Sequence, residues 1–227
     1  MRKNLTELIF ILDRSGSMSG LEKDTIGGFN SLVNKQKKEK GEVLVSTVLF
    51  NHNTEVLYDR IPLEEIQPMN DAQYCVYGCT ALLDAIGGAI HHIGNVHKYI
   101  RGKDRPEKTI FIIMTDGMEN ASHRYTYQKV KSMIERQKKR YGWEFLFLGA
   151  NIDAIKVAGS FGIQANRAVN YECDSRGTQL NYEVLSKTVS RVRSCSATTA
   201  AMAFAQCEDW AEEINEDYRK RHRKNSK

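Results

Sequence analysis

Proline, paired cysteines and long apolar runs are all scarce in this sequence. Of its 227 residues, 3 are proline and 5 are cysteine, and the cysteines form neither an even disulfide set nor a zinc-like pattern with histidine. The first apolar run covers only residues 8–12, which is shorter than the ~7–15 apolar residues of a secretory signal. No stretch approaches the ~20 apolar residues of a membrane span. We therefore expect a cytoplasmic protein with free thiols and no membrane partner.

Positive charge is concentrated at one end of the chain. The formal net charge is +5, but residues 219–227 (RKRHRKNSK) contain six Lys or Arg and no acid, so that residues 1–218 carry a net charge of −1. A nearly neutral body argues against a general nucleic-acid-binding surface. Residues 125–140 form a second basic stretch, which could contact nucleic acid but is more often a solvated helix face. We do not expect nucleic acid to be a partner.

Short apolar runs alternate with helical patterns along the chain. Runs rich in β-branched and aromatic residues predict strands at residues 7–12, 42–50, 54–58, 109–115, 144–149 and 167–171. Amphipathic periodicity predicts helices at about residues 21–40, 80–100, 125–140, 153–160 and 178–193. This alternation predicts an α/β fold with a doubly wound, mostly parallel six-stranded sheet and helices on both faces. The tight turn between the second and third strands predicts one antiparallel edge strand.

The C-terminal part of the chain has a different composition. Residues 195–206 carry no charge, and the segment that follows has acids first and bases last, an order that suits a helix dipole. We predict one domain over residues 1–195. Residues 196–227 are then a C-terminal helical extension with a basic tail, in which residues 207–223 form a loosely attached helix with a frayed basic end.

Oxygen-bearing side chains follow two predicted strands and open one predicted helix. They are Asp13, Ser15, Ser17, Thr80 and Asp116. Because the carboxyl ends of the strands in a doubly wound sheet share one edge, we expect these side chains to meet there. Five hard donors with only two formal charges suit Mg²⁺, Mn²⁺ or Ca²⁺. Since hydroxyl ligands are neutral, such an ion should attract one more anionic oxygen, such as an Asp or Glu of a partner protein.

Three separated segments that contain these residues, FILDRSGSM, GCTALLDAI and IIMTDGMEN, resemble the von Willebrand factor type A domain and its metal-ion-dependent adhesion site. The resemblance covers about residues 5–195. It matches the Asp-x-Ser-x-Ser element at Asp13, Ser15 and Ser17, the distant threonine at Thr80 and the distal aspartate at Asp116. It implies a Rossmann-like fold in which the serines and the threonine coordinate the metal, while the aspartates do so directly or through water.

The function that the resemblance implies is metal-dependent protein binding. In having no predicted signal peptide or membrane span, the chain resembles the stand-alone bacterial members of this family. One feature departs from the family pattern. Many members have Gly-Gly-Thr at the threonine loop, where this chain has Gly78-Cys79-Thr80. The bulkier Cys79 could change the shape of the loop or the affinity for metal.

Simpler interpretations compete at several positions. The Asp13 segment could be only a helix-capping turn, although the matching Thr80 and Asp116 favour a metal site. Asp84, one turn after Thr80, could accept a hydrogen bond from a metal-bound group or could be an ordinary first-turn acid. Asn120 could act in the same way, but it is more typical of a turn residue.

An enzyme is the alternative to a binding module. An aspartate after the first strand is also typical of aspartyl-phosphate enzymes, so a metal-dependent hydrolase or phosphotransferase is conceivable on this sheet edge. Such enzymes usually place a second acid two residues later, where this chain has Ser15, and Lys156 is the one lysine left open as a partner. The phosphate-loop and dinucleotide-binding glycine motifs are absent. We predict a binding module and no catalytic residues.

Overall fold

Six strands form one sheet in the computed structural model, which describes residues 1–224. They are β1 (Arg2–Asp13), β2 (Glu42–Phe50), β3 (Thr54–Pro62), β4 (Pro106–Thr115), β5 (Glu144–Gly149) and β6 (Ala168–Asn170). Their order across the sheet is β3-β2-β1-β4-β5-β6. Neighbours pair in parallel except for β2 and β3, which form an antiparallel hairpin at one edge. The predicted fold class and its antiparallel edge strand are confirmed.

Helices cover both faces of this sheet. They are α1 (Glu22–Gln36), α2 (Leu82–Tyr99), α3 (Tyr127–Tyr141), α4 (Ala154–Ser160), α5 (Ser175–Ser194), α6 (Ala200–Phe204) and α7 (Glu212–Lys224). Helices α1, α5, α6 and α7 bury side chains in the core on one face, and α2, α3 and α4 bury theirs on the other. Within residues 1–224, no helix combines the length and the apolar character needed to cross a bilayer.

The central strand β1 supplies side chains to both cores. Leu8 and Phe10 belong to the core beneath α1 and α5, while Ile9 and Ile11 belong to the core beneath α2 and α3. All four are fully buried. Burying one such side chain contributes roughly 1.5–3 kcal/mol, and successive strand residues point to opposite faces. An uninterrupted apolar run is therefore what a strand covered on both faces requires.

Helix ends are set by local side-chain chemistry. The Asp174 side chain accepts a hydrogen bond from the Gly177 N–H at 2.7 Å and caps α5. Thr126 caps α3 in the same way through the Lys129 N–H. Gly142 ends α3 with φ +64°, a left-handed conformation that favours glycine. These caps place the amino termini of α3 and α5 beside the loops that follow the strands.

The C-terminal extension packs more tightly than we expected. Phe204, Trp210 and Ile214 are buried in the same core as the strands, and Trp210 Nε1 donates a hydrogen bond to the Asn166 carbonyl at 2.8 Å. The expected loose attachment of the terminal helix is therefore wrong for residues 207–214, because their apolar side chains pack in the core on one face of the sheet. The division of the chain at residue 195 stays a prediction. Of the predicted basic tail, residues 225–227 lie outside the described part of the chain.

Candidate metal site

The carboxyl ends of β1 and β4 lie side by side at one edge of the sheet, here called the rim. The two strands pair in parallel, with Leu12 opposite Met114. Asp13 is the last residue of β1, and Asp116 is the first residue after β4. Both carboxylates therefore lie at the rim, where doubly wound sheets place their ligand-binding residues.

A series of short contacts joins four of the five predicted ligands. The Ser17 hydroxyl donates to Asp116 Oδ1 at 2.6 Å, and the hydroxyl oxygens of Ser15 and Ser17 lie 3.1 Å apart. The backbone N–H of Ser15 donates to Asp13 Oδ1 at 2.7 Å. The turn after β1 thus folds back over the strand end and brings both serine hydroxyls toward Asp116.

Thr80, the fifth predicted ligand, comes from the loop before α2. A Cβ built on Gly117 would lie 3.3 Å from Thr80 Oγ1 and 3.4 Å from Ser17 Oγ, so both hydroxyls line the small space beside this glycine. Asn120 holds Thr80 in position, because its Oδ1 accepts from the Thr80 N–H at 2.9 Å and its own N–H donates to the Thr80 carbonyl at 3.0 Å. All five predicted residues therefore meet at the rim.

The threonine loop is tied to the turn after β1. The Gly16 N–H donates to the Gly78 carbonyl at 2.9 Å, and the Tyr77 N–H donates to the Arg14 carbonyl at 3.0 Å. Gly78 has φ +79°, and a Cβ there would collide with the ring of His52, so a glycine is required at this position. Cys79 is exposed, and the departure from Gly-Gly-Thr is accommodated at the surface.

Two further side chains contact the site carboxylates and were not assigned to the site from the sequence. The Thr115 hydroxyl donates to Asp13 Oδ2 at 2.6 Å, and the Cys173 thiol donates to Asp116 Oδ2 at 3.5 Å. Thr115 ends β4 beside the end of β1, which is a signal that could have identified it. Cys173 follows β6, a strand of only three residues with a weak sequence pattern.

Asp84 organises a loop. Its carboxylate accepts hydrogen bonds from the backbone N–H groups of His123, Arg124 and Tyr125 at 2.9–3.0 Å. Three backbone donors occupy this carboxylate, so the structure gives no support to a contact with a metal-bound group. The acid near the start of α2 instead fixes the segment that leads from the rim into α3.

Burial raises the pKa of both site carboxylates. Asp13 is 1% exposed, and the loss of hydration raises its pKa to about 6, although hydrogen bonds from Thr115 and Ser15 lower it. Burial also raises the pKa of Asp116, against the opposing hydrogen bond from Ser17. Removing an ionised carboxylate from water is costly unless a counter-charge is present. The site is therefore one that a cation would stabilise.

The chain itself supplies no such counter-charge among residues 1–222, whose side chains the structure describes. Neither Asp13 nor Asp116 forms an ion pair there, and the nearby Arg14 instead pairs with Glu55 at 2.8 Å. That part of the chain also has no group of three or more His, Cys, Asp or Glu side chains that could hold a metal. A metal at the rim would therefore bind hydroxyl and carboxylate oxygens, which are ligands that suit hard divalent cations.

The affinity for metal should depend on pH. Because the pKa of Asp13 is raised to about 6 and metal ligands must be deprotonated, we expect the apparent affinity for Mg²⁺ to fall about tenfold between pH 7.5 and pH 5. The raised pKa of Asp116 acts in the same direction. Isothermal titration at the two pH values measures this change. An affinity that is the same at both would show that proton and metal do not compete at these carboxylates.

Gly117 should matter because of the space beside it. A Cβ at this position would approach the hydroxyls of Thr80 and Ser17 at 3.3 and 3.4 Å. We expect Gly117→Ala to weaken Mg²⁺ binding about tenfold or more, a change of the size seen when the surroundings of metal ligands are altered, while the fold is kept. Gly102→Ala is the matched control, since nothing lies within 4 Å of a Cβ there. Equal Mg²⁺ affinities for the two variants would place the metal elsewhere.

In comparisons by sequence, no protein-family model matches this chain, and no curated protein matches it either. Solved structures do. The vWF domain of the type V pili tip protein Mfa5 from Porphyromonas gingivalis superposes with a TM-score of 0.54 at 12% identity, covering 81% of this chain and 94% of that one. Manganese-loaded TRAP protein from Plasmodium vivax superposes with a TM-score of 0.53 at 18% identity, covering 79% and 73%.

A third similar structure is proximal thread matrix protein 1 from the mussel byssus, with a zinc-occupied MIDAS motif. Its TM-score is 0.55 at 12% identity, over 79% of this chain. This chain spans only 46% of that byssus protein and 61% of the PilB minor pilin from Streptococcus sanguinis, which it also matches. At such identities the likeness establishes the fold.

Proposed function

We propose that this chain, which has the von Willebrand factor type A fold, binds a protein partner through a divalent metal ion held at the rim. The observation that carries the proposal is the meeting of five oxygen-bearing side chains around a small space, with no cation among residues 1–222 to balance the two carboxylates. The five residues are Asp13, Ser15, Ser17, Thr80 and Asp116. The manganese-loaded and zinc-occupied structures with the same fold support a metal at such a place.

The donors favour some ions over others and leave part of the coordination shell open. Three hydroxyls and two carboxylates favour Mg²⁺ or Mn²⁺, with Ca²⁺ as the less suited alternative because it takes 6–8 oxygen ligands, roughly, at longer distances. Three of the five donors are neutral hydroxyls, and five ligands leave the roughly six-coordinate shell of such an ion incomplete, so the ion can still attract an anionic oxygen. An Asp or Glu side chain of a partner protein would supply the missing oxygen, and this would make partner binding metal-dependent.

The surroundings of the rim suit contact with a protein. Tyr77 lies three residues before Thr80 and is 50% exposed, and Met118 lies two residues after Asp116 and is 69% exposed. Aromatic residues and methionine are enriched at protein interfaces. These two apolar side chains lie in separate loops on either side of the site. If a carboxylate of the partner bound the metal, the partner residues next to that carboxylate would contact them.

We infer no enzymatic role. A hydrolase or phosphotransferase would need a nucleophile or a general base in hydrogen-bond reach of the reacting group. Lys156, the lysine left open by the sequence, is exposed on α4, where its N–H meets the capping Asp153. Among residues 1–222, the side chains that hydrogen-bond to the carboxylate of Asp13 or Asp116 belong to serine, threonine and cysteine. Burial raises the pKa of the Cys173 thiol to about 12, which disfavours a thiolate nucleophile.

A capture experiment tests the proposed function. The immobilised wild type with Mg²⁺, the wild type with EDTA, and Asp13→Asn with Mg²⁺ are incubated with lysate of the source cell, and bound proteins are quantified by mass spectrometry. We expect at least one protein to be enriched only in the first condition. A competing glutamate-rich peptide should release it, whereas a lysine-rich peptide should not. Equal recovery in all three conditions would contradict the proposal.

A further inference from the structure

A basic groove runs between α2 and α3, away from the rim site. Its volume is 730 Å³, and its lining includes five cationic side chains and no carboxylate. The cationic residues are Lys98, Arg124, Lys129, Arg136 and Arg140. The sequence indicated only a basic stretch at residues 125–140. The fold adds Lys98 from α2 and arranges the cations along one concave surface.

These five cations are not neutralised by acids within the described part of the chain. None of the five side chains forms an ion pair with an acid of residues 1–224. Lys98 and Arg140 lie over the neighbouring rings of Tyr99 and Tyr141, at 5.1 and 5.4 Å from the ring centroids. Five unpaired cations around one concavity repel one another and create a positive potential that attracts anions. If the basic residues of α3 formed only a solvent-exposed face, there would be no reason for a cation of α2 to lie beside them.

The spacing of the cations suits a ligand with repeated negative charges. Both helices start at the rim and run back along the sheet, so Arg124 lies near the rim end, and Lys98 and Arg140 lie at the far end. From Lys129 to Arg140 along α3 is about 16 Å at the ordinary helical rise. A single phosphorylated side chain would reach only part of this length, whereas a nucleic-acid strand presents a phosphate about every 3.4 Å in its stacked form.

The shape of the groove favours one strand. Packed helices have axes only about 8–10 Å apart, and close approach at Gly94, where a Cβ would be 3.2 Å from Gln137 Nε2, keeps this groove narrow. A duplex or a flat bilayer would touch only its edges. The lining also contains Tyr125 and Tyr141 and the amides of Asn95 and Gln137. Such groups can stack on or hydrogen-bond to bases once the backbone is held.

We propose that the basic groove between α2 and α3 binds single-stranded nucleic acid through its phosphates, independently of the metal site. This reverses our expectation from net charge, because the near-neutral body conceals a local concentration of cations on one face. If about four phosphates are neutralised, log Kd should rise with log salt with a slope of about 2.8. Affinity should then weaken about 50-fold between 50 and 200 mM KCl.

The test is fluorescence anisotropy with a labelled 12-nucleotide uridine oligonucleotide and the full chain, in EDTA. The variant is Lys129→Glu/Arg136→Glu/Arg140→Glu, and the matched control is Lys35→Glu/Lys38→Glu/Lys40→Glu. The control residues are exposed lysines at the end of α1 or just after it, on the opposite face of the sheet, and their reversal changes the net charge equally. We expect the groove variant to bind at least tenfold more weakly with a salt slope lower by about 2, and the control to bind within twofold of the wild type.

Three results would overturn this proposal. One is that the wild type does not bind the oligonucleotide at 50 mM KCl. Another is that the groove variant binds no more weakly than the control variant, which would mean that binding follows net charge alone or the basic tail. The third is groove-dependent binding to phosphatidylserine vesicles with none to the oligonucleotide, which would assign the cations to a membrane surface. Matching circular dichroism spectra confirm that both variants are folded.

Discussion

Asp13→Asn is expected to abolish the thermal stabilisation that Mg²⁺ gives the wild type. At a Mg²⁺ concentration of about 100 times Kd, binding adds about 2.7 kcal/mol to the free energy of unfolding. For a domain of this size that raises Tm by about 5–10 °C. Removing a site carboxylate should weaken the affinity for Mg²⁺ by about 100-fold or more. The rise in Tm at the same Mg²⁺ concentration would then be only about 1 °C. Differential scanning fluorimetry with and without Mg²⁺ measures the difference.

The metal-free Asp13→Asn protein should be at least as stable as the metal-free wild type. The folded-state pKa of about 6 lies above the ordinary 3.8, so the folded protein binds the proton more tightly, and this group stabilises it most below about pH 4. That stability is lost as the pH rises through about 6, and at neutral pH the ionised carboxylate costs roughly 3 kcal/mol. Asparagine removes this charge and keeps the shape.

Asp104→Asn is the matched control for this change. Asp104 lies just before β4, at the opposite end of the strand from Asp116, and its one ion pair among the described side chains is with the exposed Arg101. The Tm of the Asp104→Asn variant should rise with Mg²⁺ as much as that of the wild type. An Asp13→Asn protein that kept the full shift with Mg²⁺, or that was strongly destabilised without metal, would show that Asp13 serves the fold and not the metal.

Glu7→Ala is expected to cause the largest loss of fold stability among single acidic changes. The Glu7 side chain is fully buried, and its Oε2 lies 2.6 Å from His97 Nε2 in a hydrogen bond. Arg60 Nε approaches Oε1 to 2.7 Å in an ion pair that lacks hydrogen-bond geometry. Removing the acid leaves both partners with buried polar groups and no acceptor. Breaking such a buried pair costs about 3–5 kcal/mol, or about 6–20 °C in Tm.

Urea unfolding of Glu7→Ala, Glu7→Gln and Glu135→Ala separates the causes. Glu135 is an exposed acid on α3, and its loss should change the free energy of unfolding by less than about 0.5 kcal/mol. Glutamine keeps the size of the side chain and an oxygen that can accept a hydrogen bond from His97. The loss of unfolding free energy in Glu7→Gln should therefore lie between those of Glu7→Ala and Glu135→Ala. If Glu7→Ala lost no more stability than Glu135→Ala, the buried cluster would contribute nothing to the fold.

The sequence predicted the fold and the site from local patterns that the core requires. The run around Leu8 to Leu12 had to be a strand buried on both faces, and the turn at residues 51–53 had to join an antiparallel pair. Asp13 and Asp116 each follow such a run, so the parallel topology alone brought them together. The five candidate ligands were identified in this way, and their role in metal binding stays a prediction.

Long-range packing was beyond the reach of these patterns. Glu7 sits inside the first strand, but its contacts with Arg60 and His97 cross 53 and 90 residues of chain, and no periodicity specifies such a pairing. The uncharged segment at residues 195–206 gave no helical pattern, yet Phe204 is fully buried. The basic groove was missed for the same reason, because Lys98 and Arg136 become neighbours only after α2 and α3 have packed together.

A crystal of this protein grown with Mn²⁺ tests the central claim most directly. An anomalous difference map should show one strong peak at the rim, within about 2.0–2.2 Å of the hydroxyl oxygens of Ser15 and Ser17, with Thr80, Asp13 and Asp116 in direct or water-mediated contact. A carboxylate from a neighbouring molecule or the buffer at the open position would show how a partner completes the site. A map without a peak there, or with its strongest peak on other residues, would contradict the account.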